Sequence, residues 1–574
     1  MAVIAALRAT TQPVGSRTVC SDNKKSNSNL SHLVRHGLSM LVTALAVFVA
    51  VTLPPTAHAQ GTSHAADVRG TSSDNGNGTF TNPVLYGDYP DPDIIRVGQD
   101  FYLATTTFVS VPGLEILHSR DLINWNVAGY AAKSLPLGPK YNLEGGSEYA
   151  QGVWAPSLRY HKGIFYIVDN IQNAGTVVFR ASTPAGPWKM NRLNGYLFDP
   201  GLMFDDDGTP LVYNGTGGRI SVAVLNGNLT RVISNTPAFT LPHHDGEGSH
   251  AYKINGMYYV FNAVYSMNAT IACSRSKHRD GPFVSTTVCA NNMPWHAPHQ
   301  GGIVQLPDGD WWGFSLADTG PVGRTTWIGP ITWKDGWPYF GNPASPGFPL
   351  TSPKPPLGST HPLSLASSDE FSRASLGLQW EWNHNPDNSK WSLTDRPGYL
   401  RLQTESAPNL TNARNTLTQR TMGPACTGVI KIDTRHLQQG DRAGLCLLEQ
   451  YFGYVAVYKG AAGARIVRVV NRNGSLTAPS EDVTNTVPHV QATTVWLAVH
   501  CNFVSNSAQF SYSTDGSHFT KLGQPFSMHF TLATFQGERF GIFNYNPLGS
   551  HGWLDVDYFR ESGTGSAGDL TKAR

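Results

Sequence analysis

The chain has 574 residues, of which 14% are charged and 11% aromatic, and its formal net charge is +2. This length exceeds that of one ordinary domain and predicts two folded units. A near-neutral chain without blocks of Lys and Arg is not expected to bind nucleic acid or a membrane surface, and it suits a neutral, polar ligand.

The first part of the chain has the pattern of an export signal. Arg35 precedes an apolar run over residues 38–53, and a small-x-small cleavage pattern follows at residues 57–59. We therefore expect residues 1–59 to be a removed leader and the mature protein to be secreted, either outside the cell or into a periplasm. Residues 60–79 are rich in Gly, Ser, Thr and Asn and are expected to form a disordered mature N-terminus.

Residues 80–340 repeat one layout five times: a short apolar run, a turn containing glycine, and a second, aromatic-rich run. The turn glycines recur about every 50 residues, at Gly98, Gly163, Gly208, Gly256 and Gly309. A period near 50 residues with about four strands per unit predicts a five-bladed β-propeller. The fold class is thus all-β.

One residue lies 7 to 10 positions ahead of each turn glycine, where the first strand of a blade begins. These residues are Asp91, Trp154, Asp199, Glu247 and His299. Because the first strand of each propeller blade lines the central channel, the five side chains are predicted to meet around one pocket. Arg324 follows the last repeat, and its guanidinium is suited to clamp hydroxyls or to steady a carboxylate.

The rest of the chain is predicted to be a linker, a second domain and a tail. Residues 341–364 are rich in proline, which predicts a semi-rigid linker. Residues 365–562 alternate strands and turns without the 50-residue period and predict a β-sandwich. Residues after 562 are small and polar, so 563–574 are expected to be flexible. Asp369 and Asp557 are candidate ligands for a structural Ca²⁺ in the sandwich.

Five cysteines follow the leader, at Cys273, Cys289, Cys426, Cys446 and Cys501. An odd number without CxxC spacing argues against a zinc cluster or a dense disulfide framework. Cross-strand pairs of Cys273 with Cys289 or of Cys426 with Cys501, and buried free thiols, are alternatives that the sequence leaves open.

Three carboxylates in one pocket suggest acid–base chemistry on a sugar. Two carboxyl groups on either side of a sugar ring can break a glycosidic bond, one as general acid and the other as base or nucleophile. The acid must hold its proton near the working pH, and a third carboxylate nearby would raise its pKa by charge repulsion. Trp154 can stack on a face of the sugar.

Several short motifs, in this order, resemble glycoside hydrolase family 43, and above all its β-xylosidase and α-L-arabinofuranosidase branch. They are Asn82-Pro83-Val84-Leu85, Tyr89-Pro90-Asp91-Pro92-Asp93, Trp154-Ala155-Pro156-Ser157, Phe198-Asp199-Pro200-Gly201, Glu247-Gly248-Ser249-His250 and Gly323-Arg324. The resemblance covers residues 80–340. It extends through the second domain, which is similar to the concanavalin A-like sandwich of that branch.

The resemblance implies an inverting hydrolase in which Asp91 is the general base, Asp199 the pKa modulator and Glu247 the general acid. His299 matches the channel histidine of the family, which is associated with a central cation, and we expect no cofactor to be required for catalysis. The implied reaction removes terminal β-D-xylosyl or α-L-arabinofuranosyl residues from plant cell-wall hemicellulose. Its substrates would be xylo-oligosaccharides, or the side chains of arabinoxylan and arabinan.

Two departures from the family pattern leave these catalytic roles intact, but with them the resemblance does not specify the exact substrate. Asp93 stands where a small residue is usual, and Gly248-Ser249 stands where many relatives have Gly-Pro. Two alternatives also remain: an endo-arabinanase on the same propeller, which needs an open groove, and a non-catalytic carbohydrate-binding propeller.

Overall fold

Nearly all of the described chain forms β-strands. The computed structural model describes residues 72–171, 174–265, 270–290, 298–358, 365, 367–549, 552–563 and 567–572. The predicted leader, residues 1–59, lies outside these ranges. None of the described helices has the length and apolar character to cross a membrane.

The first domain is a five-bladed β-propeller, as predicted. Strand β1 (Thr79–Thr81) precedes the blades, and β4 (Ser110–Val111) lies inside the sequence of the first blade. Blade 1 contains β2 (Asp93–Val97), β3 (Asp100–Thr105), β5 (Gly113–Ser119) and β6 (Asn126–Ala132). Blade 2 contains β7 (Val153–His161), β8 (Ile164–Ile171), β9 (Gly175–Ala181) and β10 (Lys189–Arg192).

The other three blades follow in chain order, each an antiparallel sheet of consecutive strands. Blade 3 contains β11 (Gly201–Phe204), β12 (Pro210–Thr216), β13 (Arg219–Leu225) and β14 (Val232–Thr240). Blade 4 contains β15 (Glu247–Ile254), β16 (Met257–Val264), β17 (Thr270–Ser276) and β18 (Val284–Cys289). Blade 5 contains β19 (His299–Gln305), β20 (Trp311–Asp318), β21 (Arg324–Lys334), β22 (Trp337–Asn342) and β23 (Ser345–Pro346).

Burial decreases from the channel to the rim of the propeller. The first strand of blade 5, β19, is buried along almost its whole length, whereas the outer strands β10 and β14 are mostly exposed. Apolar side chains pack between neighbouring blades; one cluster joins Phe101 and Leu103 of blade 1 to Phe314 of blade 5. Because the first strands face the axis, residues that begin them share one end of the channel.

The second domain is the predicted concanavalin A-like sandwich of two large sheets. Its strands are β25 (Glu381–Asn383), β26 (Trp391–Ser392), β27 (Leu400–Gln403), β28 (Glu405–Ser406), β29 (Leu417–Arg420), β30 (Ala425–Asp433), β31 (Arg442–Leu448), β32 (Gly453–Gly460), β33 (Gly463–Val470), β34 (Asp482–Val490), β35 (Thr494–Asn502), β36 (Ser507–Ser513), β37 (Thr520–Lys521), β38 (Phe526–Ser527), β39 (Arg539–Asn546) and β40 (Trp553–Ser562). One sheet has the order β34-β33-β32-β31-β39-β29-β25-β4, with β28 beside β39. The other sheet has the order β26-β27-β40-β30-β35-β36-β37, with β38 beside β36.

The two domains share a sheet. Strand β4 leaves the propeller and pairs with β25 of the sandwich, with Val111 opposite Trp382. Short 3-10 helices connect strands at Pro139–Asn142, Pro242–His244, Gly320–Val322 and Leu410–Asn412. The sandwich is therefore docked against the propeller through backbone pairing as well as side chains.

The structure differs from the sequence-based expectation at both edges of the propeller. Residues 341–353, expected to be linker, belong to it: β23 extends blade 5, and β24 (Thr351–Pro353) pairs with β1. Their prolines are tolerated because these are short edge strands. Residues 72–79, expected to be disordered, are held in part by an ion pair of 2.9 Å between Asp74 and Lys354.

The predicted flexible tail contains a short helix, α1 (Ala567–Lys572). Its Leu570 is buried and packs with Val429, Ala498 and Tyr558 on the outer face of the sandwich. An apolar residue inside a small, polar segment was the signal for this contact.

All five cysteines after the leader are buried free thiols in this structure. Cys426 and Cys501 lie directly opposite each other on β30 and β35, whereas Cys273 faces Thr286 rather than Cys289.

Candidate active site

The residues predicted to meet do lie at one end of the channel. Asp91 precedes blade 1, Trp154 is the second residue of β7, Asp199 precedes β11, and Glu247 and His299 begin β15 and β19. All five are buried, with at most 8% of their surface exposed. Asp199 lies within reach of the charges of Glu247 and Asp91.

Asp91 sits in a strained turn and is held from two sides. Its φ angle is 50°, in the left-handed region, which Asp adopts at a cost that a functional site can tolerate. Thr106 Oγ1 donates a hydrogen bond of 2.6 Å to Asp91 Oδ2. Arg324 Nη1 approaches Oδ1 at 3.5 Å. The carboxylate is thus fixed while it remains beside a positive charge.

Asp199 also has a left-handed backbone, with φ of 45°. Burial raises its pKa well above the ordinary value, and the negative charges of Glu247 and then of Asp91 raise it further. Glu247 and Asp91 are therefore close enough to Asp199 for their negative charges to disfavour its ionisation.

Glu247 receives hydrogen bonds on both carboxyl oxygens. Thr216 Oγ1 donates to Glu247 Oε2 at 2.8 Å, and the Tyr265 hydroxyl donates to Oε1 at 3.2 Å. The Tyr265 ring also lies 5.7 Å from the ring of His299. These contacts fix the orientation of the carboxyl group within the pocket.

One wall of the pocket is aromatic and comes from both domains. Phe535 of the sandwich lies 5.0 Å from Trp154 and 5.9 Å from Phe108, measured between ring centres. The guanidinium carbon of Arg324 lies 5.2 Å from the Phe535 ring centre. Gly152 permits this packing, because a Cβ atom there would lie 2.1 Å from the carbonyl oxygen of Phe108. The sandwich therefore completes the pocket.

His299 and Arg324 meet at Asp318, the last residue of β20. Arg324 Nε donates to Asp318 Oδ1 at 3.0 Å, and His299 Nε2 lies 3.8 Å from Oδ2. Within the described ranges, no group of three or more His, Cys, Asp or Glu side chains is arranged to hold a metal ion. The Arg324 guanidinium already supplies positive charge here, so this donor set does not fit a directly bound cation.

The two candidate calcium ligands of the sandwich are engaged with other groups. Asp369 accepts hydrogen bonds from the backbone of Phe371 and from the indole of Trp380. Asp557 lies 2.6 Å from the ammonium group of Lys431. A cation beside that ammonium would be repelled, so these side chains do not fit a Ca²⁺ site.

Sequence reasoning missed a second ring of pocket residues. In each blade the second strand runs antiparallel to the first, so its C-terminal end returns to the channel end where the first strand starts. The residues there are Thr106, Asp169, Thr216, Tyr265 and Asp318. The same blade alignment would have found them if it had been extended to the end of each second strand.

Asp169 is the least expected of these residues. It is fully buried, and its Oδ1 accepts a hydrogen bond of 3.1 Å from the backbone N–H of Trp154. Burial raises its pKa well above the ordinary value, and the nearby charge of Asp91 adds to this effect. Asp169 therefore supports the strand that carries Trp154 through this backbone hydrogen bond.

Comparisons with known proteins agree with this architecture. The chain matches the family model for glycosyl hydrolases family 43 over residues 80–338 and the model for the beta xylosidase C-terminal concanavalin A-like domain over residues 368–561. A beta-xylosidase of Formosa agariphila is 30% identical over 552 residues, covering 85% of this chain and 91% of that protein. A non-reducing end alpha-L-arabinofuranosidase of Bacteroides ovatus is 35% identical over 352 residues, covering 57% of this chain and 65% of that protein.

A solved structure shows the same fold. The bifunctional GH43-CE protein of Bacteroides eggerthii superposes with a TM-score of 0.79 at 34% identity, covering 85% of this chain and 64% of that one. With both domains matched and a relative aligned over most of its length, the chain belongs to glycosyl hydrolase family 43 and is a glycosyl hydrolase.

Proposed function

We propose that the protein is an exo-acting hydrolase that removes terminal β-D-xylosyl residues, and α-L-arabinofuranosyl residues as an alternative, from hemicellulose oligosaccharides. The observation that carries this proposal is the set of three buried carboxyl groups, Asp91, Asp199 and Glu247, at one end of the channel. A binding module would not need them, and burying them is costly. The names of the relatives support this substrate class.

In the proposed reaction, Asp91 accepts a proton from water as that water attacks the anomeric carbon. The bond from that carbon to the glycosidic oxygen breaks, and Glu247 gives its proton to the departing oxygen. Product leaves with inverted configuration, and proton exchange with solvent restores both carboxyl groups. Asp199 is the proposed modulator of the acid, since its charge and that of Glu247 disfavour each other.

Exo action is supported by the aromatic wall. Phe535 closes one side of the pocket beside Trp154 and Arg324, whereas cleavage inside a chain requires a groove open at both ends. A pocket that is closed on one side disfavours the endo-arabinanase alternative.

Asp91 and Glu247 account for both proton transfers, so we propose that no cofactor takes part in the reaction. The leader pattern of residues 1–59 supports secretion, which would bring the enzyme to polymeric plant material.

The test uses the full-length protein with p-nitrophenyl β-D-xylopyranoside and p-nitrophenyl α-L-arabinofuranoside side by side, then with xylohexaose. We expect xylose as the first product from xylohexaose, and proton NMR should show α-xylose before mutarotation. A mixture of internal fragments would contradict exo action, and initial β-xylose would contradict inversion.

Asp91→Asn tests the base. It should abolish turnover even of substrates with excellent leaving groups, because water attack is still needed. The exposed Asp308→Asn is the matched control and should behave like the wild type. Activity of Asp91→Asn within about tenfold of the wild type would exclude Asp91 as the base, since a general base typically contributes 10²–10⁴-fold.

A further inference from the structure

A buried cluster of four charged residues lies between the two domains. Arg420 and Arg539 of the sandwich share it with Glu381, also of the sandwich, and with Glu115 of blade 1. Arg420 Nη1 donates to Glu381 Oε1 at 2.8 Å and lies 2.6 Å from Glu115 Oε2. Arg539 Nη2 donates to Glu381 Oε2 at 2.9 Å. The cluster therefore pairs two guanidinium groups with two carboxyl groups, and burial raises the pKa of Glu115 to about 7.

Arg420 alone of the two arginines is bonded to the turn that carries Asp91. Its Nε donates a hydrogen bond of 2.7 Å to the carbonyl oxygen of Asp88, and its guanidinium carbon lies 4.7 Å from the ring centre of Tyr89. Arg539 donates instead to Thr418 Oγ1 at 3.1 Å and to Glu381. The guanidinium reaches the carbonyl through Nε and the two glutamates through Nη1, whereas the single nitrogen of an ammonium group cannot occupy both positions.

A shift of Asp88 would also displace Asp91, because the turn between them is rigid. Pro90 and Pro92 fix their own φ angles and restrict the residues before them, so the segment has little freedom to absorb a shift. Two further contacts run to Arg324: Tyr89 N–H donates to the Arg324 carbonyl at 2.8 Å, and Asp88 Oδ1 accepts from the Arg324 N–H at 2.9 Å. The Pro90 carbonyl accepts from Thr105 Oγ1 and from the Thr106 N–H of blade 1. The propeller therefore holds the turn through blades 1 and 5, and the sandwich holds it at Asp88 and Tyr89.

We propose that Arg420 is a positioning residue for the general base: by binding the Asp88 carbonyl and the Tyr89 ring, the sandwich sets where Asp91 meets the attacking water. The inference rests on the proposed role of Asp91. It gives the second domain a function in water activation, separate from the contact of Phe535 with the sugar pocket.

The two arginines provide a matched pair of variants in the full-length protein. Arg420→Lys keeps the charge but loses the bond from Nε to the Asp88 carbonyl, while Arg539→Lys is the same change in the same cluster without a bond to the turn. Both should lower the melting temperature. We expect Arg420→Lys to lower kcat by about tenfold or more with little change in KM, because small misplacements of a reacting group are costly. Arg539→Lys should keep a kcat near that of the wild type.

The decisive measurement is kcat on a series of aryl β-xylosides with leaving groups of different pKa. A displaced base slows every substrate equally, because each needs water activation, whereas a displaced acid slows poor leaving groups most. An equal kcat loss in Arg420→Lys and Arg539→Lys, or a loss in Arg420→Lys that grows with leaving-group pKa, would overturn the inference.

Two controls keep the outcome interpretable. If Arg420→Lys does not fold, Arg420→Gln combined with Glu115→Gln removes one charge of each sign and leaves the cluster neutral; it should show the same uniform kcat loss, and an unchanged kcat would overturn the inference. Asp91→Asn is measured in parallel. An inactive Asp91→Asn with equal arginine variants contradicts only the role of Arg420, whereas an active Asp91→Asn contradicts the base assignment and this inference together.

Discussion

At the scale of single residues, the site holds three buried carboxyl groups, those of Asp91, Asp199 and Glu247. The pKa of Asp199 is raised by burial first and by Glu247 and Asp91 next. The sequence predicts a charged Asp199 that raises the pKa of the acid, whereas the raised pKa of Asp199 favours its own neutral form. The role of Asp199 as modulator stays a prediction.

Two threonines at equivalent positions of their blades allow the acid and the base to be separated. Thr106 Oγ1 donates to Asp91 and Thr216 Oγ1 donates to Glu247. We expect valine at either position to lower kcat by roughly 10–100-fold, the range for one hydrogen bond to a charged group. Thr106→Val should affect all aryl xylosides equally, whereas Thr216→Val should affect poor leaving groups most.

Steady-state kinetics over a series of leaving groups distinguishes these two variants. Each threonine is the control for the other, because the substitution and the blade position are the same. The same leaving-group dependence in both would contradict the assignment of Asp91 and Glu247 to different roles.

At the scale of elements, the loop before β39 brings Phe535 from the sandwich into the sugar pocket. We expect Phe535→Ala to lower kcat/KM for xylo-oligosaccharides by roughly 10–100-fold, because one ring that contacts both Trp154 and Arg324 is lost. Leu532→Ala is the control in the same segment, since Leu532 is 47% exposed. Product sizes from long xylan should be compared as well. Unchanged kinetics in Phe535→Ala would show that the sandwich does not shape the site.

The sequence predicts the residues at the starts of the first strands, but it does not predict the residues that the sandwich contributes to the site. Asp91, Asp199 and Glu247 follow a period that is visible in the chain itself. Phe535 and Arg420 follow no period, because they reach the propeller only through the docking of a separate domain. Contacts of this kind depend on how two folded units pack, and residue spacing carries no information about that.

The prolines after residue 341 led to the wrong prediction that the propeller ends at residue 340. Proline indicates only that a residue does not donate to a central ladder, which is equally true of a linker and of an edge strand. Strands β23 and β24 are edge strands. The limit of the propeller could therefore not be read from composition alone.

At the scale of the whole molecule, the two domains should unfold as one unit. They share the sheet formed by β4 and β25 and a buried cluster of compensating charges. Between them, the Tyr149 hydroxyl donates to the Thr411 carbonyl at 3.0 Å and accepts from Asn383 at 2.8 Å. We expect a single calorimetric transition for the intact protein.

Tyr149→Phe removes the two hydrogen bonds that the Tyr149 hydroxyl forms across the domain boundary. It should lower the free energy of unfolding by about 1–3 kcal/mol, the cost of leaving buried partners unpaired. Tyr160→Phe, on an exposed propeller residue, is the control and should have little effect. Two separate heat-capacity peaks in either protein would contradict cooperative unfolding.

The contribution of Phe535 has a consequence for the order in which the enzyme is made. A chain that emerges from the ribosome N-terminus first folds its domains in that order. All three carboxyl groups have appeared once Glu247 is synthesised, but the ring that closes their pocket follows about 290 residues later. A nascent propeller therefore holds the reactive groups in an open channel, and the selective enzyme exists only after the sandwich has folded onto it.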